Sequence, residues 1–282
     1  MGYPLAISIG GVGIVIGLLV FGPRIAGELY YGRFYSGLEN YVLLAVPLFI
    51  FMGTMLEKSR LAEDLLKTIG DCGLAEGSRV VIVGPSPDPG TPPYAYADAV
   101  RVAVTLIYGG VRNVAVLAGG HAKWIAEGRP VTTEAAAATP VPYNSPVDSP
   151  SWVSTEYVKE HIGKAVLIDG RDVEVYFGVF IEEVFADMRG HIPTAQSLPM
   201  IWVWEADGTY KPTEFIAAMA AGVIGDDKTR EVIAYCGAGG YASAWWYLLT
   251  QLLGYTNVKI YDGSMEAWVD GGNPVVAYSW TE

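Results

Sequence analysis

One short segment, EVIAYCGAGGYAS from Glu231 to Ser243, constrains the fold of this chain more than any other. Its first five residues predict a buried strand, and Ala242 to Leu253 predict a helix. Cys236 and three glycines lie between them, so the sequence predicts a thiol in a glycine-rich turn before a helix N-terminus. The N–H groups and partial positive charge there stabilise a thiolate, which predicts a thiol pKa below the ordinary value of about 8.5. The alternative is that Cys236 is a small buried hydrophobe.

Composition excludes several other classes of function. The net charge of −12 argues against a nucleic-acid binder, which carries a basic face. Two cysteines far apart in the sequence do not form a disulfide framework. The three histidines, His121, His161 and His191, are scattered, so we predict no metal site and no cofactor.

The N-terminal part consists of two uncharged runs, Leu5 to Phe21 and Tyr41 to Leu56. Their lengths predict a helical hydrophobic hairpin that associates with a membrane through residues 5–56. A signal peptide and a buried core hairpin are the alternatives. Basic residues after the second run slightly outnumber those between the runs, which favours a cytoplasmic location for the remainder, with a soluble cytoplasmic chain as the alternative.

The segment from Phe34 to Leu65 resembles the start of the large membrane subunit of TRAP transporters, the DctM-like family. The run AVPLFIFMG is the specific part of this resemblance. The further helices of a transporter do not follow, so the resemblance implies membrane association and not transport.

From Ser78 onward, predicted strands and helices alternate, which indicates an α/β fold with a parallel sheet. The sequence VRNVAVLAGGHAKWIAEGRPV is repeated later as YTNVKIYDGSMEAWVDGGNPV, which indicates one fold present twice. We therefore divide the chain into a hydrophobic helical segment, a truncated first copy, a Pro/Ser-rich linker and a complete second copy: 1–72, 73–140, 141–150 and 151–282.

Four motifs of the second copy resemble those of rhodaneses, in the family's order. They are LIDGR with Asp169 and Arg171, RGHIP beginning at Arg189, the C-x-x-G-x-x-A-S pattern at Cys236, and YDGSMEAW. The resemblance implies a parallel sheet flanked by helices, in the tandem form of the family. The first copy has no thiol, because PSPDPGTPPY, Pro85 to Tyr94, stands in place of the cysteine loop.

The resemblance also implies a sulfurtransferase that carries sulfur as a persulfide on Cys236. Its partners are a small-molecule sulfur donor and a thiophilic acceptor, cyanide or a thiol. Asp169 and Arg171 are then an ion pair that holds the loop, and Arg189 is the nearest cation for an anionic donor. The persulfide is held by the active-site loop, in which Ser243 caps the helix or hydrogen-bonds the sulfur: Gly237, Ala238, Gly239, Gly240, Tyr241, Ala242 and Ser243.

The loop departs from the pattern of thiosulfate-specific members, which carry basic residues where Gly237 and Ala238 stand. Thiosulfate, the commonest assay substrate of the family that this chain resembles, remains the first expected donor, and the missing basic residues predict that it is used weakly. A non-catalytic, membrane-tethered sulfur-carrier or binding module and a mercaptopyruvate-type sulfurtransferase are the alternatives.

Overall fold

The computed structural model describes residue 20 and the segments 61–75, 77–84, 94–145, 151–183 and 186–278. The chain divides into two compact units, Met1–Asp64 and Leu65–Glu282. Apart from residue 20, the predicted membrane hairpin lies outside the described residues. Among the helices that the structure describes, none is long and apolar enough to cross a bilayer.

The unit Leu65–Glu282 consists of alternating strands and helices, as the sequence predicts. The strands are β1 Arg79–Ile82, β2 Asn113–Val116, β3 Val166–Asp169, β4 Gln196–Ser197, β5 Val232–Tyr235 and β6 Val258–Ile260. The first helix begins in the last residues of the preceding unit. The α-helices are α1 Leu61–Asp71, α2 Tyr94–Tyr108, α3 Gly120–Ala126, α4 Thr155–His161, α5 Val173–Tyr176, α6 Thr213–Ile224, α7 Gly240–Tyr247 and α8 Ser264–Asp270.

The main sheet has four parallel strands in the order β4-β3-β5-β6. All four residues of β3 and of β5 are buried, as expected for central strands covered on both faces. The carboxyl ends of parallel strands lie at the same edge of the sheet. At this edge Asp169, the last residue of β3, is paired in register with Tyr235, the last residue of β5. This edge brings the D-x-R motif beside the cysteine loop.

Two apolar clusters pack on opposite faces of this sheet, because successive strand residues point to opposite sides. On one face Ile168 joins the cluster that contains Trp245, and on the other Leu167 joins the cluster that contains Trp268. The result is a layer of helices on each side of a parallel sheet, which confirms the predicted α/β fold.

A second, two-stranded sheet is formed by β1 and β2, which pair in parallel. Helix α2 connects these strands and packs on α7, the helix that follows the cysteine loop. Tyr247 of α7 donates a hydrogen bond from its hydroxyl to the Val114 carbonyl of β2, at 3.1 Å. The Lys123 Nζ atom lies 2.8 Å from the Asp207 Oδ2 atom, which forms an ion pair. Residues of the predicted first copy therefore pack directly against the second.

The two aligned repeats make the same hydrogen bond. The Trp124 indole N–H donates to the Pro130 carbonyl at 2.9 Å, and the Trp268 indole N–H donates to the Pro274 carbonyl at 2.8 Å. The matching geometry agrees with the alignment of the two sequences. The division into a truncated and a complete copy remains a prediction.

The helix after the cysteine loop differs from its predicted bounds. It begins at Gly240, two residues earlier than predicted, and continues from Leu248 to Leu252 as a π-helical turn. The early start follows from Gly239, whose φ of 85° lies in the left-handed region and ends the loop abruptly.

Candidate active site

Cys236 follows β5 directly, and the first turn of α8 holds it in place. The Cys236 backbone N–H donates to the Ser264 hydroxyl at 3.0 Å. In return, the Met265 N–H donates to the Cys236 carbonyl at 3.0 Å, and the Glu266 N–H donates to the Gly237 carbonyl at 3.1 Å. Three hydrogen bonds thus fix the start of the cysteine loop to a single helix end.

Ser264 is a site residue that was not among those predicted from the sequence. Its side chain is fully buried, and its hydroxyl donates to the Tyr261 carbonyl at 2.8 Å while it accepts from Cys236. Its φ of 50° is unusual for a residue with a side chain. The signal available in the sequence was its place in the YDGSMEAW motif.

Backbone N–H groups surround the Cys236 sulfur, but burial has the larger effect on its protonation. The side chain is only 4% exposed. Burial raises the pKa of the Cys236 thiol above its ordinary value, although hydrogen bonds from the N–H groups of Ala242, Tyr241 and Ala238 lower it. The predicted low pKa is therefore wrong for the resting thiol, because desolvation of the thiolate outweighs the N–H groups of the loop.

Gly239 is required by both backbone conformation and space. In addition to its positive φ, a Cβ at this position would collide with Asp262 Oδ1. The neighbouring Gly240 has open space around its Cα and no positive φ. The two adjacent glycines therefore differ in what they contribute to the loop.

Ser243 has neither of its predicted roles. Because the helix begins at Gly240, Ser243 lies within the first turn and not at the N-cap. Its hydroxyl donates to the Gly239 carbonyl at 2.8 Å, the local bond that serine often makes inside helices. The Gly239 carbonyl therefore accepts the Ser243 hydroxyl in addition to the Ser243 N–H.

Asp169 and Arg171 form a buried ion pair, as the sequence analysis predicted. The two side chains are 0% and 3% exposed, and Arg171 Nη2 lies 2.6 Å from Asp169 Oδ2. Arg171 Nη2 also donates to the Gly190 carbonyl at 2.7 Å, which ties the RGHIP segment to the end of β3. Burial lowers the pKa of Arg171, but the adjacent carboxylate raises the pKa more, so the guanidinium stays charged.

Arg189, the predicted cation for an anionic donor, has its guanidinium near the loop that follows α5. Its Nη1 donates to the Gly178 carbonyl at 2.9 Å and to the Val179 carbonyl at 2.8 Å. These contacts give Arg189 a role in shaping that loop. Its contact with a donor stays a prediction.

Two further carboxyl groups lie near the Asp169–Arg171 pair. Burial raises the pKa of Asp172, with a smaller contribution from Glu174. Burial also raises the pKa of Glu182, against the opposing effect of Arg171.

In the segments that the structure describes, no group of three or more His, Cys, Asp or Glu side chains is arranged to hold a metal ion.

Comparison with family models gives two matches along the chain. Residues 154–270 match the model of the rhodanese-like domain. Residues 1–83 match the model of the DctM component of tripartite ATP-independent periplasmic transporters. The first match contains the whole cysteine loop and the buried ion pair, and the second contains the predicted hairpin.

Curated relatives agree with the first of these matches. The chain is 35% identical to the sulfur carrier protein TtuD of Thermus thermophilus over 179 residues, which are 60% of this chain and 61% of TtuD. It is 30% identical to a putative thiosulfate sulfurtransferase of Mycolicibacterium smegmatis over 222 residues, 77% of this chain and 76% of that protein. A protein of the same name from Haloferax volcanii is 30% identical over 226 residues, 76% of this chain and 73% of that protein.

Solved structures show the same fold. The anaerobic ergothioneine biosynthesis enzyme of Chlorobium limicola, in complex with its natural substrate trimethyl histidine, aligns with a TM-score of 0.66 and 25% identity. The alignment covers 77% of this chain and 55% of that one. A structure of the EanB/Y353A variant, in complex with ergothioneine covalently linked with a persulfide cysteine, aligns with a TM-score of 0.67 and 25% identity, covering 79% of this chain and 56% of that one.

Proposed function

We propose, from the premise that this chain belongs to the rhodanese-like family, that it transfers sulfane sulfur from thiosulfate or a related donor through a persulfide on Cys236. One observation carries the proposal. The Cys236 sulfur lies at the carboxyl edge of a parallel sheet, with the backbone N–H groups of Ala238, Tyr241 and Ala242 directed at it. A persulfide anion formed at this sulfur lies within reach of the same donors.

The chemistry takes two steps. The Cys236 thiolate attacks the outer sulfur of thiosulfate, the sulfur–sulfur bond of the donor breaks, and sulfite leaves with the bonding electrons. The product is a persulfide anion on Cys236. Cyanide or a thiolate then attacks the outer sulfur, and the Cys236 thiolate is the leaving group, which restores the starting state.

Deprotonation of the thiol limits the first step. Because burial raises the pKa of the Cys236 thiol, only a small fraction is thiolate at neutral pH. We therefore expect the rate of sulfur uptake to rise with pH past the ordinary thiol pKa. The loop also offers the donor no basic side chain at Gly237 or Ala238, so we expect a high KM for thiosulfate.

A cyanolysis assay tests this function. The full chain, given thiosulfate and cyanide, should produce thiocyanate over many turnovers. The Cys236→Ser variant should produce none above the uncatalysed rate, while Cys72→Ser, which removes the exposed cysteine, should match wild type. Equal activity of wild type and Cys236→Ser would refute the proposal. Mercaptopyruvate, supplied in place of thiosulfate with the same variants, tests the mercaptopyruvate-type alternative.

A sulfur carrier is the second candidate function. The relative TtuD is named a sulfur carrier protein. Because burial raises the pKa of the Cys236 thiol, its thiolate is a poor leaving group, which slows release of the outer sulfur of a persulfide. The same assay separates the two candidates. A carrier that another protein loads, and that thiosulfate does not reload, yields about one thiocyanate per loaded chain and then stops, whereas an enzyme continues while thiosulfate remains.

We also propose that residues 5–56 attach the chain to a membrane, with the sulfurtransferase part in the cytoplasm. The two uncharged runs and the match of residues 1–83 to the DctM model support this. After carbonate extraction of membranes from expressing cells, the full chain should stay in the pellet. Its release into the soluble fraction would refute the attachment.

A further inference from the structure

We propose that Arg101, which lies in the predicted copy without a thiol, increases the rate at which an anionic reagent reacts at the Cys236 loop. Arg101 does this by masking the carboxylate of Asp262. This inference rests on the proposed function for its biological meaning, since thiosulfate and persulfides are anions. Arg101 is a specificity-determining residue in this view, and it acts through charge at the rim of the loop.

The geometry places three groups in a row. Arg101 Nη2 of α2 lies 3.8 Å from Asp262 Oδ1, and both side chains are about half exposed, at 50% and 51%. The same Asp262 oxygen lies against Gly239, close enough that a Cβ on Gly239 would collide with it. Gly239 belongs to the loop whose N–H groups surround the Cys236 sulfur. The Asp262 carboxylate therefore contacts both the Arg101 guanidinium and Gly239 of the cysteine loop.

Core packing fixes the position of Arg101, so its location does not depend on a weak surface ion pair. Ala97, Val100 and Val104 of α2 are buried in the same apolar cluster as Trp245 of α7. Arg101 lies four residues after Ala97 and three before Val104, so its Cα is on the same side of α2 as these buried residues.

A second contact connects α2 to the loop through aromatic rings. The Tyr96 ring of α2 lies 5.6 Å from the Trp204 ring, and the Trp204 ring lies 6.1 Å from the ring of Tyr241 in the first turn of α7. Helix α2 therefore contacts the surroundings of Cys236 at a second point.

The charges around the loop set the direction of the effect. The Asp262 carboxylate, which lies against Gly239, repels an anionic donor that approaches the loop. Exposed Asp98 on α2 and exposed Glu266 on α8 add negative charge in the neighbouring turns. Arg101 opposes this repulsion at its nearest source. For half-exposed charges we expect an effect of about threefold to fivefold on the rate or KM of an anionic reagent.

Alkylation of Cys236 measures this effect without relying on enzyme activity. In a Cys72→Ser background, the rate with iodoacetate, an anion, is divided by the rate with iodoacetamide, its neutral analogue of similar size. We expect this ratio to fall about threefold to fivefold in Arg101→Gln and to stay near wild type in Arg101→Lys. Arg129→Gln is the matched control, because Arg129 pairs at 2.7 Å with Glu127 of the same copy.

The Asp262→Asn variant makes the test a double-mutant cycle. Because removal of the carboxylate removes what Arg101 masks, Arg101→Gln combined with Asp262→Asn should restore most of the lost ratio. Added salt should reduce the difference between Arg101→Gln and wild type, since the charges are exposed. An equal ratio in Arg101→Gln and wild type, or a loss that Asp262→Asn does not restore, would overturn the inference.

Thiosulfate kinetics separate this inference from the proposed function. If the chain turns over thiosulfate, Arg101→Gln should raise KM with little change in kcat. An unchanged alkylation ratio in a chain with wild-type cyanolysis would refute the role of Arg101 alone. If wild type shows no cyanolysis but Arg101→Gln still lowers the alkylation ratio, the sulfurtransferase proposal is refuted. The electrostatic role of Arg101 is then supported.

Discussion

Replacing Gly239 with alanine should damage the cysteine loop more than the same change at the adjacent glycine. Gly239 has a φ of 85°, a conformation that costs a residue with a Cβ about 1–2 kcal/mol. The new methyl group would also collide with Asp262 Oδ1. The backbone must therefore rotate, or Asp262 must move, before alanine fits.

Either adjustment changes the sulfur site. The Gly239 carbonyl accepts both the N–H and the hydroxyl of Ser243, so rotation at Gly239 disturbs the start of α7. The N–H groups of Tyr241 and Ala242, which are directed at the Cys236 sulfur, lie in that same turn. The loss of one preorganised donor costs about 100-fold or more in kcat. We therefore expect Gly239→Ala to lower kcat for cyanolysis by about 100-fold, with a stability loss of about 1–3 kcal/mol.

Gly240→Ala is the control for this experiment. Gly240 is the first residue of α7, and a methyl group added there would have no atom within 4 Å apart from its chain neighbours and the backbone of its own helix. Alanine favours a helix over glycine by about 1 kcal/mol, so we expect Gly240→Ala to keep activity and to be slightly more stable. Steady-state cyanolysis and denaturant unfolding measure both quantities for both variants. Equal kcat values for Gly239→Ala and wild type would refute the claim that this glycine shapes the sulfur site.

Other substitutions test separate parts of the site. Arg171→Met should lower the free energy of unfolding by about 3–5 kcal/mol in denaturant titrations, because it leaves the buried Asp169 carboxylate unpaired; a loss below about 1 kcal/mol would contradict this. Ser264→Ala should cost about 1–3 kcal/mol, because the buried Cys236 N–H loses its acceptor; unchanged unfolding would argue against that bond. Ala238→Lys should lower the KM for thiosulfate, and no change would mean that the donor does not bind beside this residue. The rate of Cys236 alkylation by iodoacetamide should rise with pH to above the ordinary thiol pKa, because burial favours the protonated form; a plateau below that pKa would contradict the role of burial.

Local patterns in the sequence were enough to predict the elements that position the site. The alternation of apolar strands and helices predicted β3, β5 and the α/β fold, and those strands are fully buried. The D-x-R spacing places Asp169 and Arg171 two residues apart at a strand end, which is enough to pair them. These predictions needed only the pattern of neighbouring residues, and they are confirmed.

Features that depend on packing between distant elements were not predictable in the same way. The protonation of Cys236 depends on how completely the loop and its surroundings cover the sulfur. The acceptor of its N–H is Ser264, which comes from a helix after another strand. The ion pair of Arg101 with Asp262 joins residues of the two predicted copies, and no local pattern indicates it. Ser243 was misassigned because the helix start moved by two residues, which changes what its hydroxyl can reach.

The mass of the intact chain after exposure to thiosulfate tests the central claim most directly. We predict that wild type and Cys72→Ser each gain the mass of one sulfur atom, and that cyanide removes it with release of an equal amount of thiocyanate. Cys236→Ser should gain nothing under the same conditions. A sulfur adduct that persists in Cys236→Ser, or that is lost in Cys72→Ser, would contradict the assignment of the persulfide to Cys236.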